Sequence, residues 1–219
     1  MLSKRLNELD AWEKEVLLQG KGTEDNAQLS PQSETVRKLF TGWFGTEDAP
    51  AKAKIRGRIV KAINKLKGVS DTDFLPDQSS SDYAYVYPNS TERGKYERTI
   101  HLGSAFWEAD DKTRAGTLIH ELSHFVTVGH TDDVGSATKD RDAVDFPGID
   151  LRKYGGIYTA YGGARAARLA IRNPSMALNN ADSFEFFIEG DEASPIVDEH
   201  GKMDTEGFGD FPSVNPNLT

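Results

Sequence analysis

Residues 111–128 read DKTRAGTLIHELSHFVTV. Leu118, Leu122 and Phe125, with Ile119 and Val126, recur at three- and four-residue intervals, the stripe of a helix anchored in a core. The spacing predicts a helix from about Asp111 to Val128. Inside it lies His120-Glu121-Leu122-Ser123-His124, an H-E-x-x-H motif. Residues four apart on a helix stand one turn apart on one face, so both imidazoles can reach a single ion. Glu121, one step along, faces a water on that ion rather than the ion itself. Zinc held by two imidazoles and a third protein ligand keeps a position open, and a water there has a pKa of about 7. A neighbouring carboxylate can then take its proton as the oxygen attacks a carbonyl. The competing explanation is a chance match on a packed helix. The helical context, and the placing of two of the chain's five histidines in this motif, weigh against it.

Composition narrows the setting. The chain has 219 residues, enough for one domain with an appended N-terminal part, and its 37% hydrophobic content with 11 Phe, 7 Tyr and 3 Trp suits a globular protein. A formal charge of −9 argues against a nucleic-acid partner, whose phosphates would be repelled. With no cysteine, neither disulfides nor thiolate ligands are available. Charges interrupt the first apolar residues every few positions, which is unlike a Sec signal core, and no run is long enough to span a bilayer. The expectation is a soluble protein without membrane contact, cytoplasmic or exported by a specialised secretion system.

Outward from the motif, the pattern is mostly helical. Residues 2–18 carry helical spacing and stop at Gly20-Lys21-Gly22; a second helix begins near Ser33-Glu34-Thr35 and runs to Phe44; a third opens at Pro50 and ends near Gly68. Residues 69–82 read as polar turns. Tyr83 to Tyr87 and Thr99 to Leu102 are short β-prone runs. After the motif, residues 129–157 read as a long loop, followed by helices over 160–172 and 175–188 and a loose acidic tail. The division is 1–70 as an N-terminal helical region, 71–190 as the catalytic domain, and 191–219 as the tail. The fold class is α+β, mostly helical with a small sheet.

The third ligand decides among families. His130 stands six residues after His124, the metzincin interval, but the glycine that pattern needs for its turn is replaced by β-branched Thr127, and Met176, which would have to serve as a Met-turn, falls in a helical run. Asp133 stands nine residues after His124. A distant glutamate, Glu185 or Glu189, is the remaining candidate.

Residues 99–133, TIHLGSAFWEADDKTRAGTLIHELSHFVTVGHTDD, resemble the aspzincins, the deuterolysin and peptidyl-lysine metalloendopeptidase group. The resembling features are Ile100-x-Leu102-Gly103-x-Ala105-Phe106-Trp107, the run Gly116 to Phe125, and Thr131-Asp132-Asp133. A second block, Tyr161-Gly162 through Leu169, Asn173-Pro174, and Asn180 to Phe187, is similar to that family's closing helices. The resemblance implies a zincin-like catalytic domain and a zinc endopeptidase acting on protein or peptide. His120, His124 and Asp133 would be its zinc ligands and Glu121 its general base. It implies Tyr161 as donor to the developing oxyanion, and Asp182 and Glu185 in a pocket favouring Lys after the scissile bond. One departure stands out. The family places its tyrosine three residues after the ligand aspartate, whereas Tyr161 follows Asp133 by 28 positions. Tyr154 and Tyr158 rival Tyr161, and Asp150 is a weaker ligand candidate. A bacterial effector with a secretion apparatus or immunity protein as partner is one expectation. The alternatives are a metzincin-type protease using His130 and a non-catalytic binding or toxin module on a degenerate protease fold.

Overall fold

A computed structural model describes residues 1–19, 28–87, 99–133 and 162–193. Three helices come first: α1 (Leu2–Gln19), α2 (Pro31–Phe44) and α3 (Ala49–Leu66). Ser30 caps α2 by accepting from Ser33 N, and Pro31 takes the first position, where no N–H is needed. The cap therefore lies at Ser30 and not at Ser33, which is buried inside the first turn. Asp48 caps α3 by accepting from Ala51 N at 2.7 Å.

A 3₁₀ turn (Asp71–Asp73) leads to strands β1 (Phe74–Asp77), β2 (Ala84–Tyr85) and β3 (Ile100–Gly103), followed by the short helix α4 (Ser104–Glu108). The sheet order is β1-β3-β2. β1 runs parallel to β3, with Phe74 opposite Ile100, and β2 runs antiparallel to it, with Ala84 opposite Leu102. The two β-prone runs of the sequence appear as β2 and β3. β1 falls in the segment expected to be turns, because Pro76 and Asp77 disguise it; as an edge strand it tolerates a proline.

Helices α5 (Asp111–His124), α6 (Gly163–Arg172), α7 (Pro174–Ala177) and α8 (Ala181–Glu189) complete the fold. Asp110 caps α5 by accepting from Thr113 N at 2.7 Å. α5 ends at His124, earlier than its apolar pattern suggests. Phe125 turns out of the helix at ψ 132°, and its carbonyl accepts from Val128, Gly129 and His130 N–H. Phe125 and Val128 stay buried, so apolar periodicity outlasts the helix itself. The single helix expected over 175–188 is two, broken at Asn179-Asn180.

The helices of residues 1–70 share one apolar core with the motif region. Leu9, Trp12, Phe40, Phe44, Ile55 and Ile59 join Ile119, Leu122, Phe184 and Phe187 in it. The Phe40 ring meets Trp12 at 5.7 Å, Phe44 at 4.9 Å and Phe187 at 5.5 Å between centroids. Each such side chain contributes roughly 1.5–3 kcal/mol by leaving water. α8 makes its largest contact with α5, which sets its first turn beside the motif histidines. No helix among the described residues is long and apolar enough to cross a membrane.

Candidate metal centre

His120 and His124 stand one turn apart on α5, their ring centroids 4.9 Å apart. Both are buried. Each has its Nδ1 against an acceptor. His120 Nδ1 lies 2.8 Å from Asp182 Oδ1 and 3.0 Å from Glu185 Oε2, both on α8. His124 Nδ1 lies 2.9 Å from the Thr131 carbonyl. Carboxylate and carbonyl oxygens accept, so a proton belongs on Nδ1 in both rings, and the two Nε2 atoms, the positions left for a cation, point into one neighbourhood.

Asp133 enters that neighbourhood. Its Oδ1 is 3.0 Å from His120 Nε2 and 3.5 Å from His124 Nε2. That oxygen is buried, yet it accepts no hydrogen bond of normal geometry among the described residues. A short approach without a directed hydrogen bond is what two ligands of one cation show. His120, His124 and Asp133 offer three donor atoms within 4.8 Å of one another, N₂O chemistry that suits zinc. His120, Asp182 and Glu185 also converge. That second trio has a single imidazole and its oxygens are at hydrogen-bonding distance from Nδ1, so its arrangement is that of groups orienting the ring.

The carboxylates dominate the electrostatics. Burial opposes a charge on His120, but Asp133, Asp182 and Glu185 outweigh it and hold the imidazole well above its ordinary value. Burial likewise works against the Asp133 charge, and the two imidazoles override it, leaving that carboxyl below its usual range. Glu121 is pushed up, chiefly by burial, with the two histidines opposing. The centre therefore attracts positive charge, and it keeps beside it a carboxylate more basic than a solvated one.

The segment after α5 aims Asp133. Thr131 N donates to Ser123 O at 3.1 Å, and the Thr131 and Ser123 hydroxyls are in hydrogen-bond contact. His130, with φ 46°, is the left-handed residue where the chain turns back. It is exposed and joins no ligand group. Asp133, not the metzincin candidate His130, is the side chain that joins the two histidines in a possible ligand group. Asp132 N donates to Asn179 O at 2.9 Å and Ala181 N to Asp132 O at 3.0 Å, pairing the ligand segment with the start of α8.

Beside the centre lies a cavity of about 320 Å³, lined by His120, Glu121, Asp182, Glu185, Glu189 and Tyr83 among others. Gly116 makes room for two carboxylates of its wall: a Cβ there would overlap Glu189 Oε1 and come within 2.6 Å of Glu185 Oε1. At the rim Lys112 Nζ is 2.7 Å from both Asp191 carboxylate oxygens and 3.9 Å from Glu189 Oε2. Burial first, and the Glu185 charge next, raise Glu189 to about 7. Glu189 lines the cavity with Glu185 one turn before it, and that i, i+4 spacing is the signal in the sequence for a shared acidic wall. Asp182 and Glu185, expected against substrate, line the cavity but also grip His120, and Gly162 N donates to Asp182. Tyr161, with Tyr154, Tyr158 and Asp150, lies outside the described residues.

A histidine pair on one helix, a carboxylate from the turn that follows, and a buried glutamate at an open cavity define a metal centre of the H-E-x-x-H class. The chain belongs to the aspzincin family, described as lysine-specific metallo-endopeptidases, whose model matches residues 29–145. That match begins well before the motif, at the threshold of α2. An extracellular protease of Aeromonas hydrophila is 32% identical over 68% of this chain and 35% of its own length. A peptidyl-Lys metalloendopeptidase of Pleurotus ostreatus is 32% identical over 75% of this chain and 79% of its own. A solved zinc peptidase from Grifola frondosa is 25% identical, with TM-score 0.49, across 86% of this chain and 89% of that one. The chain spans little more than a third of the Aeromonas protein. Zinc is the metal this family implies, and the donor set fits it.

Proposed function

We propose that the chain is a zinc-dependent endopeptidase that hydrolyses peptide bonds with Glu121 as general base. The carrying observation is the convergence of His120 Nε2, His124 Nε2 and an otherwise unbonded Asp133 Oδ1. Zinc in such a donor set supplies Lewis acidity and acidifies water at neutral pH. Glu121 lines the same cavity, takes the proton from the attacking water and delivers one to the departing amine. Its raised affinity for protons suits both transfers. Asp182 and Glu185 hold His120 by Nδ1 and keep its ring aimed. Tyr161 is the proposed oxyanion donor, on the resemblance to the family.

The substrate is a protein or peptide, with Lys favoured after the scissile bond. The support is the cavity wall, where Asp182, Glu185 and Glu189 stand together and an ammonium would offset charges that are costly to bury alone. The Pleurotus relative, named for peptidyl-Lys cleavage, agrees. An exported setting draws support from the Aeromonas relative, named an extracellular protease. A non-catalytic module is disfavoured because Glu121 remains at the cavity rather than turned into the core. The test is Glu121→Gln, assayed for bound zinc and for cleavage of Lys-containing peptides. The expected outcome is unchanged zinc and a rate reduced at least about 100-fold; a variant as active as wild type would end this mechanism.

A further inference from the structure

Arg58, on α3, is 3% exposed, in a place where the apolar pattern of that helix would be served by Met or Leu. Among the described residues no carboxylate pairs with it. Burial alone lowers its guanidinium to about 10, so its retention costs stability unless other bonds offset the loss of water. Those bonds go to two backbone carbonyls. Nη1 donates to Leu178 O at 3.0 Å, and Nη2 makes a long 3.5 Å contact with Gly129 O. Its Cζ lies 5.3 Å from the centre of the Phe184 ring on α8. Gly129 is shaped to this side chain: a Cβ there would overlap Arg58 Nε and lie 2.8 Å from its Cδ.

The two carbonyls belong to the two segments that pair through Asp132 and Asn180. Gly129 lies four residues before Asp133, and Leu178 three before the first turn of α8, where Asp182 grips His120. We propose that Arg58 is a positioning residue that clamps these two segments together and thereby fixes Asp133 against the two imidazoles. The clamp acts from α3, a helix that contributes no group to the centre, and it acts on the ligand segment's backbone.

This inference rests on the zinc reading of the site, and its test separates the two. The full chain is compared with Arg58→Met, which keeps the stem's bulk and loses the donors, and with Arg58→Lys, which can reach only one carbonyl. Zinc affinity is measured by competition with a chromophoric chelator, cobalt substitution reports ligand geometry by its visible spectrum, and amide exchange is followed at residues 129–133 in metal-free protein. Arg58→Met is expected to weaken zinc about 10–100-fold, the range for lost ligand-supporting contacts, with a changed cobalt spectrum and faster exchange at 129–133. Arg58→Lys falls between. A folded Arg58→Met with zinc affinity within twofold of wild type and unchanged exchange overturns the clamp. Should Arg58→Met fail to fold, Gly129→Ala, which drives a methyl into the guanidinium, must show the same zinc and exchange changes, and its failure to do so overturns the proposal equally. Wild-type protein that takes up no zinc, with exchange still dependent on Arg58, sinks the hydrolase reading and leaves the clamp standing.

Discussion

The two sides of the metal centre are built differently. His120 is backed by two carboxylates from α8, whereas His124 is backed by one neutral backbone carbonyl, that of Thr131. Both arrangements fix a tautomer, but only the first adds charge. A ring backed by carboxylate is a stronger donor to a cation, and in the metal-free protein it is the counter-ion of its own support. The difference assigns unequal jobs to two side chains that look equivalent in the motif: His120 is tied to the cavity wall, and His124 to the turn.

The largest expected effect tests that inequality without metal. His120→Ala leaves Asp182 and Glu185 facing each other with no cation between, and a broken buried pair costs about 3–5 kcal/mol. Glu185 retains some solvent contact, so the low end applies. His124→Ala strands only a carbonyl. In metal-free protein His120→Ala should therefore melt several degrees below His124→Ala, at roughly 2–4 °C per kcal/mol for a chain of this size; equal melting temperatures would erase the distinction. Next in size, Glu185→Gln or Asp182→Asn should weaken zinc by about 10–100-fold. Thr131→Val, which leaves the carbonyl on His124 in place, should change it by less than about threefold, read by chelator competition.

The smallest effect concerns pH. Glu189, raised to about 7 from an ordinary 4.5, holds its proton in the folded chain over a range where the unfolded chain has lost it. The folded state binds more protons there, so this group's contribution to stability falls as pH rises from about 4.5 to about 7. Glu189→Gln should flatten that part of the stability curve, measured by denaturant melts across the window. An unchanged slope would place the carboxyl in a wetter environment than the cavity provides.

Some of this was legible in the order of residues and some was not. The H-E-x-x-H spacing brings His120, Glu121 and His124 together by helix geometry alone, and Thr131-Asp132-Asp133 points to Asp133 as the proposed third ligand through its resemblance to the family. The end of α5 was not legible, because Phe125 and Val128 are buried by the turn just as a continuing helix would bury them. β1 was hidden by a proline that an edge strand accommodates. The grip of Asp182 and Glu185 on His120 was missed because their i, i+3 spacing states that they share a face, not which neighbour that face meets. Arg58 gave no signal, since a basic residue among Ile55, Ile59 and Ile63 reads as solvated until its burial is known.

The pairing of Asp132 with Asn179 and Ala181 has an evolutionary consequence. It moors the ligand aspartate from its upstream side, so whatever follows residue 133 can lengthen without slackening the ligand. Closing a longer excursion adds only a slowly growing entropic cost. A lineage could therefore lengthen the chain beyond Asp133 and retain the proposed ligand set, which makes this junction the tolerant seam of the architecture.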